Sequence, residues 1–145
     1  MGEAAQGELP KHEIFSKPFR VEPVYELWET PSNYRRYPGG DRLPDKLKVW
    51  RVQQQARDQK TRMVAPYGAV AKPWKPSEAP GTEILVAGYN LGKMDGAVAV
   101  GRERNFLQWG FSAPPSRMTE AGRAFFLNSV CYIAKFPRKG SAAVK

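Results

Sequence analysis

Apolar and polar positions alternate or cluster in a few short stretches. Val21 to Glu29 reads VEPVYELWE, where Val24, Tyr25, Leu27 and Trp28 are strand-type residues and Pro23 points to an edge position. Lys46-Leu47-Lys48-Val49 alternates polar with apolar, which predicts a strand over 47–53. The QQQARDQK that follows has good helix formers but no apolar stripe and reads as a loop. A further short strand is predicted at Thr61–Pro66. Glu83-Ile84-Leu85-Val86-Ala87 is a continuous apolar run of strand length, as in a strand buried on both faces. Ala97–Val100 and Asn105–Phe111 flank the turn Gly101–Arg104 and so predict a hairpin. Strands at 83–89, 96–101 and 104–111 should form one sheet. Thr119 can cap a helix running to about Lys135, whose Phe126, Val130 and Ile133, with Leu127 and Ala134 beside them, should pack on that sheet.

Ten of the thirteen prolines fall in the first 80 residues, so that half should hold strands and ordered loops rather than long helices. TPSNYRRYPGGDRLPD is turn chemistry carrying two tyrosines and three arginines, KPWKPSEAPG at 72–81 is a proline-rich connector, and NLGKMDG is a turn. The expected organisation is a flexible N-terminus at 1–10, a single domain at 11–136 and a basic tail at 137–145 after Pro137. No internal repeat is visible.

Composition narrows the function classes. Of 145 residues, 41% are apolar and 26% charged; Leu, Ile, Val and Phe number 29, one fifth of the chain. That is the edge of the range for compact folding, offset here by four Trp and six Tyr. No apolar run approaches the ~20 residues of a membrane span, and MGEAAQGELPKHE has neither the basic start nor the apolar core of a signal peptide, although a longer parent could be exported. A single cysteine, Cys131, excludes an internal disulfide and a cysteine-based zinc cluster. The net charge of +9 suggests nucleic acid. Its distribution weakens that reading: residues 1–45 carry 6 basic and 8 acidic groups, 46–78 carry 8 and 2, and 79–145 carry 9 and 4, without a run of five.

The order of pieces resembles the second half of a class I glutamine-amidotransferase-like domain of the trehalose-utilisation (ThuA-like) type. There the pieces read His-Pro-Ile, then Pro-Val-x-Trp before Gly-Lys-Gly-Arg-Val, then Leu-x-Asn-Ala-x-x-Trp. Here they are HEIF at 12–15, GAVAVGRERNFLQWGF at 96–111 and FFLNSVCYIAKF at 125–136. The similarity is closer still to bacterial proteins of planctomycete type with GRxGNFxxWGFSAxPxxMT at this place. The chain matches Gly101-Arg102, Asn105-Phe106, Trp109 to Ala113, Pro115 and Met118-Thr119, but has Arg104 at the second glycine. The resemblance implies an α/β fold, a partial flavodoxin-like sheet with a β-hairpin and a C-terminal helix, with α+β as the alternative. It also implies that the first parallel strands and the nucleophile elbow lie outside this chain, which would then be a C-terminal portion with an exposed sheet edge.

The family's catalytic histidine follows the hairpin, but Trp109 to Pro115 holds none. Cys131 reads as a small packing residue in mid-helix, and His12 as a ring packed against Phe15 rather than a metal ligand with Glu13. Glu22, Glu26 and Glu29 read as a solvated strand face rather than a glycosidase pair. No catalytic residue, metal or cofactor is therefore assigned. The glycine-bearing loops at 92–96 and 101–104 read as turns, since neither stands between a strand and a helix in the phosphate-loop manner. The remaining cluster is Trp28, Tyr34, Arg35, Arg36, Tyr37 and Trp50, with Arg102 on the hairpin. Aromatic faces stack on sugars or bases, and arginine grips carboxylate or phosphate. The expectation is a non-catalytic module binding a carbohydrate-like small ligand or a partner protein, with a nucleic-acid-associated domain as the alternative.

Overall fold

The computed structural model describes residues 3–54, 68–73 and 79–136. The strand expected at Thr61–Pro66, half of the 72–81 connector and the basic tail lie outside these residues.

The described residues form two three-stranded antiparallel sheets and one α-helix. In the first sheet β1 (Ala4–Gln6) and β2 (Tyr25–Glu29) flank β3 (Lys46–Arg51), with Ala5 opposite Trp50 and Leu27 opposite Lys48. In the second, β5 (Val98–Glu103) lies between β4 (Thr82–Ala87) and β6 (Phe106–Trp109). The sheets meet where β1 runs beside the chain leaving β4: Ala5 bridges Gly88, and Tyr89 N–H donates to the Ala4 carbonyl. Helix α1 (Glu120–Ile133) closes the chain, with Thr119 accepting the Gly122 N–H at 3.0 Å as the N-cap.

The mixed α/β content, the edge position of β2 and the closing helix agree with the sequence reading. So does the hairpin, but its turn is Arg104-Asn105 and not 101–104, because Gly101 to Glu103 pair with β6 as strand. Nor is β4 buried on both faces, since as an outer strand it leaves Ile84 exposed. The parallel, flavodoxin-like sheet is not what the described residues form: every strand pair is antiparallel, the α+β alternative. The N-terminus corrects the expectation of a loose 1–10. Ala4 and Ala5 are buried because their small side chains let β1 seat between β3 and the end of β4. A three-residue Ala-Ala-Gln strand carries no periodic signal in the sequence.

The helix turns a different face inward from the one its aliphatic spacing predicts. Phe125 and Tyr132 are buried, as are Asn128 and Ser129, whereas Val130 is 52% exposed and Cys131 is exposed. Phe125 wins because it stacks on Phe15 at 5.0 Å, meets Trp50 edge-on and meets Trp109 at a tilt, a larger apolar contact than Val130 offers. Asn128 then fastens the helix to the loop before β2. Its amide donates to the Ile14 and Phe19 carbonyls at 2.8 and 2.6 Å, and its oxygen accepts the Phe19 N–H at 2.9 Å. At the helix start Gly122 lies against β3's exit; a Cβ there would stand 1.8 Å from the Val52 carbonyl oxygen. The apolar centre joins Ile14, Phe15, Trp50, Val52, Val86, Val100, Phe111 and Phe125 from both sheets and the helix.

Candidate functional site

The tyrosine–arginine stretch folds as two 3-10 turns, Tyr34–Arg36 and Gly40–Arg42, separated by Pro38 and Gly39. Arg35 fixes this loop, donating to the Leu43 carbonyl at 3.1 Å and pairing with Asp45 at 2.9 Å. Tyr34 points inward and is fully buried. Three N–H groups converge on its hydroxyl: Gln6 Nε2 at 2.7 Å, Asn90 N at 3.0 Å and Asn90 Nδ2 at 3.2 Å. Burial pushes its pKa up to about 12. The phenol is thus the tie between β1, the tyrosine loop and the 90–96 loop, and it stays neutral.

Between those two loops lies a cavity of about 120 Å³, lined by Tyr34, Tyr37, Gly39, Leu43, Met94 and Asp95. Asp95 is the group sequence reading missed. Its Oδ1 is buried with no hydrogen-bond partner among the described residues. Burial raises the carboxyl pKa above its usual 3.8, and the Gly96 N–H offsets part of that rise. A desolvated carboxylate oxygen next to two tyrosine rings favours a ligand that brings hydrogen-bond donors and a face to stack. The volume equals that of about four waters, enough for one edge of a small polar ring. The 92–96 loop keeps the turn geometry expected of it, with Gly96 at φ +71° and the Asn90 side chain accepting the Gly92 and Lys93 N–H groups.

The other expected ligand residues divide by place. Trp28, on β2, does not line the cavity: its ring meets Tyr89 edge-on at 5.0 Å, carries the Arg51 guanidinium at 4.8 Å and donates to Glu26 at 2.7 Å. Arg51 in turn pairs with Glu3 and Glu26, and holds the Glu26 carboxyl below its usual range. Arg36 is exposed on the tyrosine loop.

Two of these residues are placed elsewhere than expected. Trp50 is 1% exposed in the shared core, placed there by its central-strand position, and offers no face to a ligand. Arg102 is equally committed: it pairs with Glu83 at 2.9 Å, donates to the Arg104 carbonyl at 2.7 Å and lies 4.0 Å over Phe136. Glu83 also accepts from the Tyr132 hydroxyl at 2.6 Å, so this cluster ties β4, β5 and α1 together. His12 packs edge-on to Tyr132 at 5.0 Å and to Phe15 at 6.5 Å, while its Nδ1 accepts the Ile14 N–H. Glu22, Glu26 and Glu29 each pair with a separate cation rather than with one another.

Among the described residues, no group of three or more His, Cys, Asp or Glu is placed to hold a metal, and no helix is long and apolar enough to cross a membrane. Comparison with family models, curated proteins and solved structures finds no match for the chain.

Proposed function

We propose that the chain is a non-catalytic binding module, ThuA-like in descent, whose loop cavity takes a small polyhydroxylated ligand of the carbohydrate class. The observation that carries the ligand reading is Asp95 Oδ1, a buried acceptor without a donor, set beside Tyr34 and the partly exposed Tyr37. Ring hydroxyls would supply the missing donors, and Tyr37 the stacking face. The family side of the proposal rests on the motifs at 96–111 and 125–136, which fall on the β5–β6 hairpin and on α1. A flavodoxin-like parent would require parallel strands in addition to the antiparallel ones described.

The test is titration of the full chain with neutral mono- and disaccharides, followed by amide chemical shifts and calorimetry. Saturable binding that perturbs residues 34–43 and 90–96, falls at least tenfold in Tyr37→Ala and Asp95→Ala, and barely changes with salt is the expected result. Absence of saturable binding would reject the reading. Tight binding of a polynucleotide that weakens steeply from 50 to 200 mM salt would move the chain to the nucleic-acid class.

A further inference from the structure

Asp95 is singled out by the way the chain treats its other carboxylates. Every other acid among the described residues either pairs with an arginine or lysine within 3.5 Å or, as Asp41, Glu103 and Glu120 do, stands exposed to water. Asp95 has neither remedy. It is half-buried, no described cation pairs with it, and its Oδ1 is buried without a hydrogen-bond partner. A carboxylate in that position is costly until a counter-charge reaches it.

The walls of the cavity do not supply that charge. Its lining is tyrosine, proline, glycine, leucine, methionine and Asp95 itself, with no arginine or lysine. Of the cations on the two loops, Arg35 is held by Asp45, while Arg36, Arg42 and Lys93 are exposed, where water screens them. Arg42 approaches the wall at Gly39, 3.8 Å from where a Cβ would stand, and has the acid Asp41 next to it in sequence. None of them acts on the Asp95 carboxyl, which burial pushes up and only the Gly96 N–H pulls back. A neutral hydroxyl would give the carboxylate a hydrogen bond but leave its charge, whereas a protonated amine supplies donors and charge together. The half-exposed Tyr37 ring adds a face that attracts a cation. We infer that the cavity selects an amine-bearing ligand, with an ammonium group against Asp95 and ring carbons on Tyr37. This rests on the loop-cavity reading above and narrows its carbohydrate class to amino sugars.

The experiment is calorimetric titration of the full chain at pH 6 and one ionic strength with glucose, glucosamine, glucuronate and cyclohexylamine. Glucosamine is expected to bind at least tenfold more tightly than glucose, and glucuronate more weakly than either. Asp95→Asn, close in shape and checked for folding by circular dichroism, should bring glucosamine and glucose within a factor of about two of each other. In the unaltered chain the same preference should shrink from pH 6 to pH 4, as the carboxyl takes up its proton while the amine keeps its own. Equal binding of glucose and glucosamine, with amide shifts at 34–43 and 90–96, would overturn the amine selection and leave the carbohydrate reading standing. Cyclohexylamine binding as tightly as glucosamine would support the ammonium contact and overturn the carbohydrate reading instead. A preference for glucuronate, a glucosamine preference that survives Asp95→Asn, or no saturable binding by any of the four overturns the inference.

Discussion

Asp95 shows how one buried side chain can work against stability. Its carboxyl titrates above the usual 3.8 because burial disfavours the charge. Below 3.8 the acid is neutral in both folded and unfolded chains and carries no penalty. Above its raised folded value it is ionised in both, and the penalty is complete. Stability therefore declines across that window as pH rises. Asp95→Asn, neutral at every pH, should stabilise the protein at pH 7, and the gain should shrink toward zero as pH falls to about 4. Urea midpoints of both proteins measured from pH 4 to 7 check this. A variant less stable than wild type at pH 7 would show that the carboxylate has a structural partner. The neighbouring Tyr34 has the opposite character: its buried hydroxyl is fully engaged by Gln6 and Asn90, so it holds the loops in place rather than waiting for a ligand.

The elements record where patterns of residues suffice and where they do not. The β5–β6 turn carries Arg104 where the sequence pattern it resembles has glycine, and this is the one described non-glycine residue with positive φ, at 52°. The glycine expected there answers a left-handed backbone. Arg104→Gly should relieve about 1–2 kcal/mol of αL cost against roughly 0.5–1 kcal/mol of added chain entropy, a small net gain. Thermal unfolding should shift upward by a few degrees, and a downward shift would show that the arginine side chain contributes more than its backbone costs. Strands β2 to β6 and the Thr119 cap were legible because alternation, apolar runs and turn residues are local signals. The inward face of α1 was not. Its aliphatic spacing marks Val130, yet the face is chosen by Phe125 stacking on Phe15 and by Asn128 bonding to Ile14 and Phe19, partners more than a hundred positions away. The site divides in the same way: Tyr34 and Tyr37 were visible as an aromatic cluster, whereas Asp95 looked like part of a turn until folding placed it opposite them.

At the scale of the whole molecule, two acid–arginine ties join elements distant in sequence. Arg51 on β3 holds Glu26 on β2 and Glu3 ahead of β1, and Arg102 on β5 holds Glu83 on β4, which also accepts from Tyr132 on α1. Hydrogen bonding from Arg51 and from Arg102 lowers the pKa of Glu26 and Glu83 below 4.5. Depressed carboxyls contribute stability that is fully present above 4.5 and is lost as pH falls through their folded values. Asp95 acts in the other direction from 3.8 upward, so the two effects overlap only near pH 4, and the glutamates govern the fall below it. Arg102 is the better buried of the two cations, with 8% of its side chain exposed against 33% for Arg51, so the Glu83 tie is the less screened by water. Glu83→Gln should therefore lower stability at pH 7, where it leaves a buried guanidinium without its counter-charge. The variant should also lose stability less steeply than wild type below pH 4.5, and the two should converge in acid. Denaturant midpoints at half-unit steps from pH 3 to 7 would show this convergence. Parallel curves displaced by a constant amount would mean that Glu83 acts by packing and hydrogen-bond geometry alone, and that its charge does not set the acid limit of the fold.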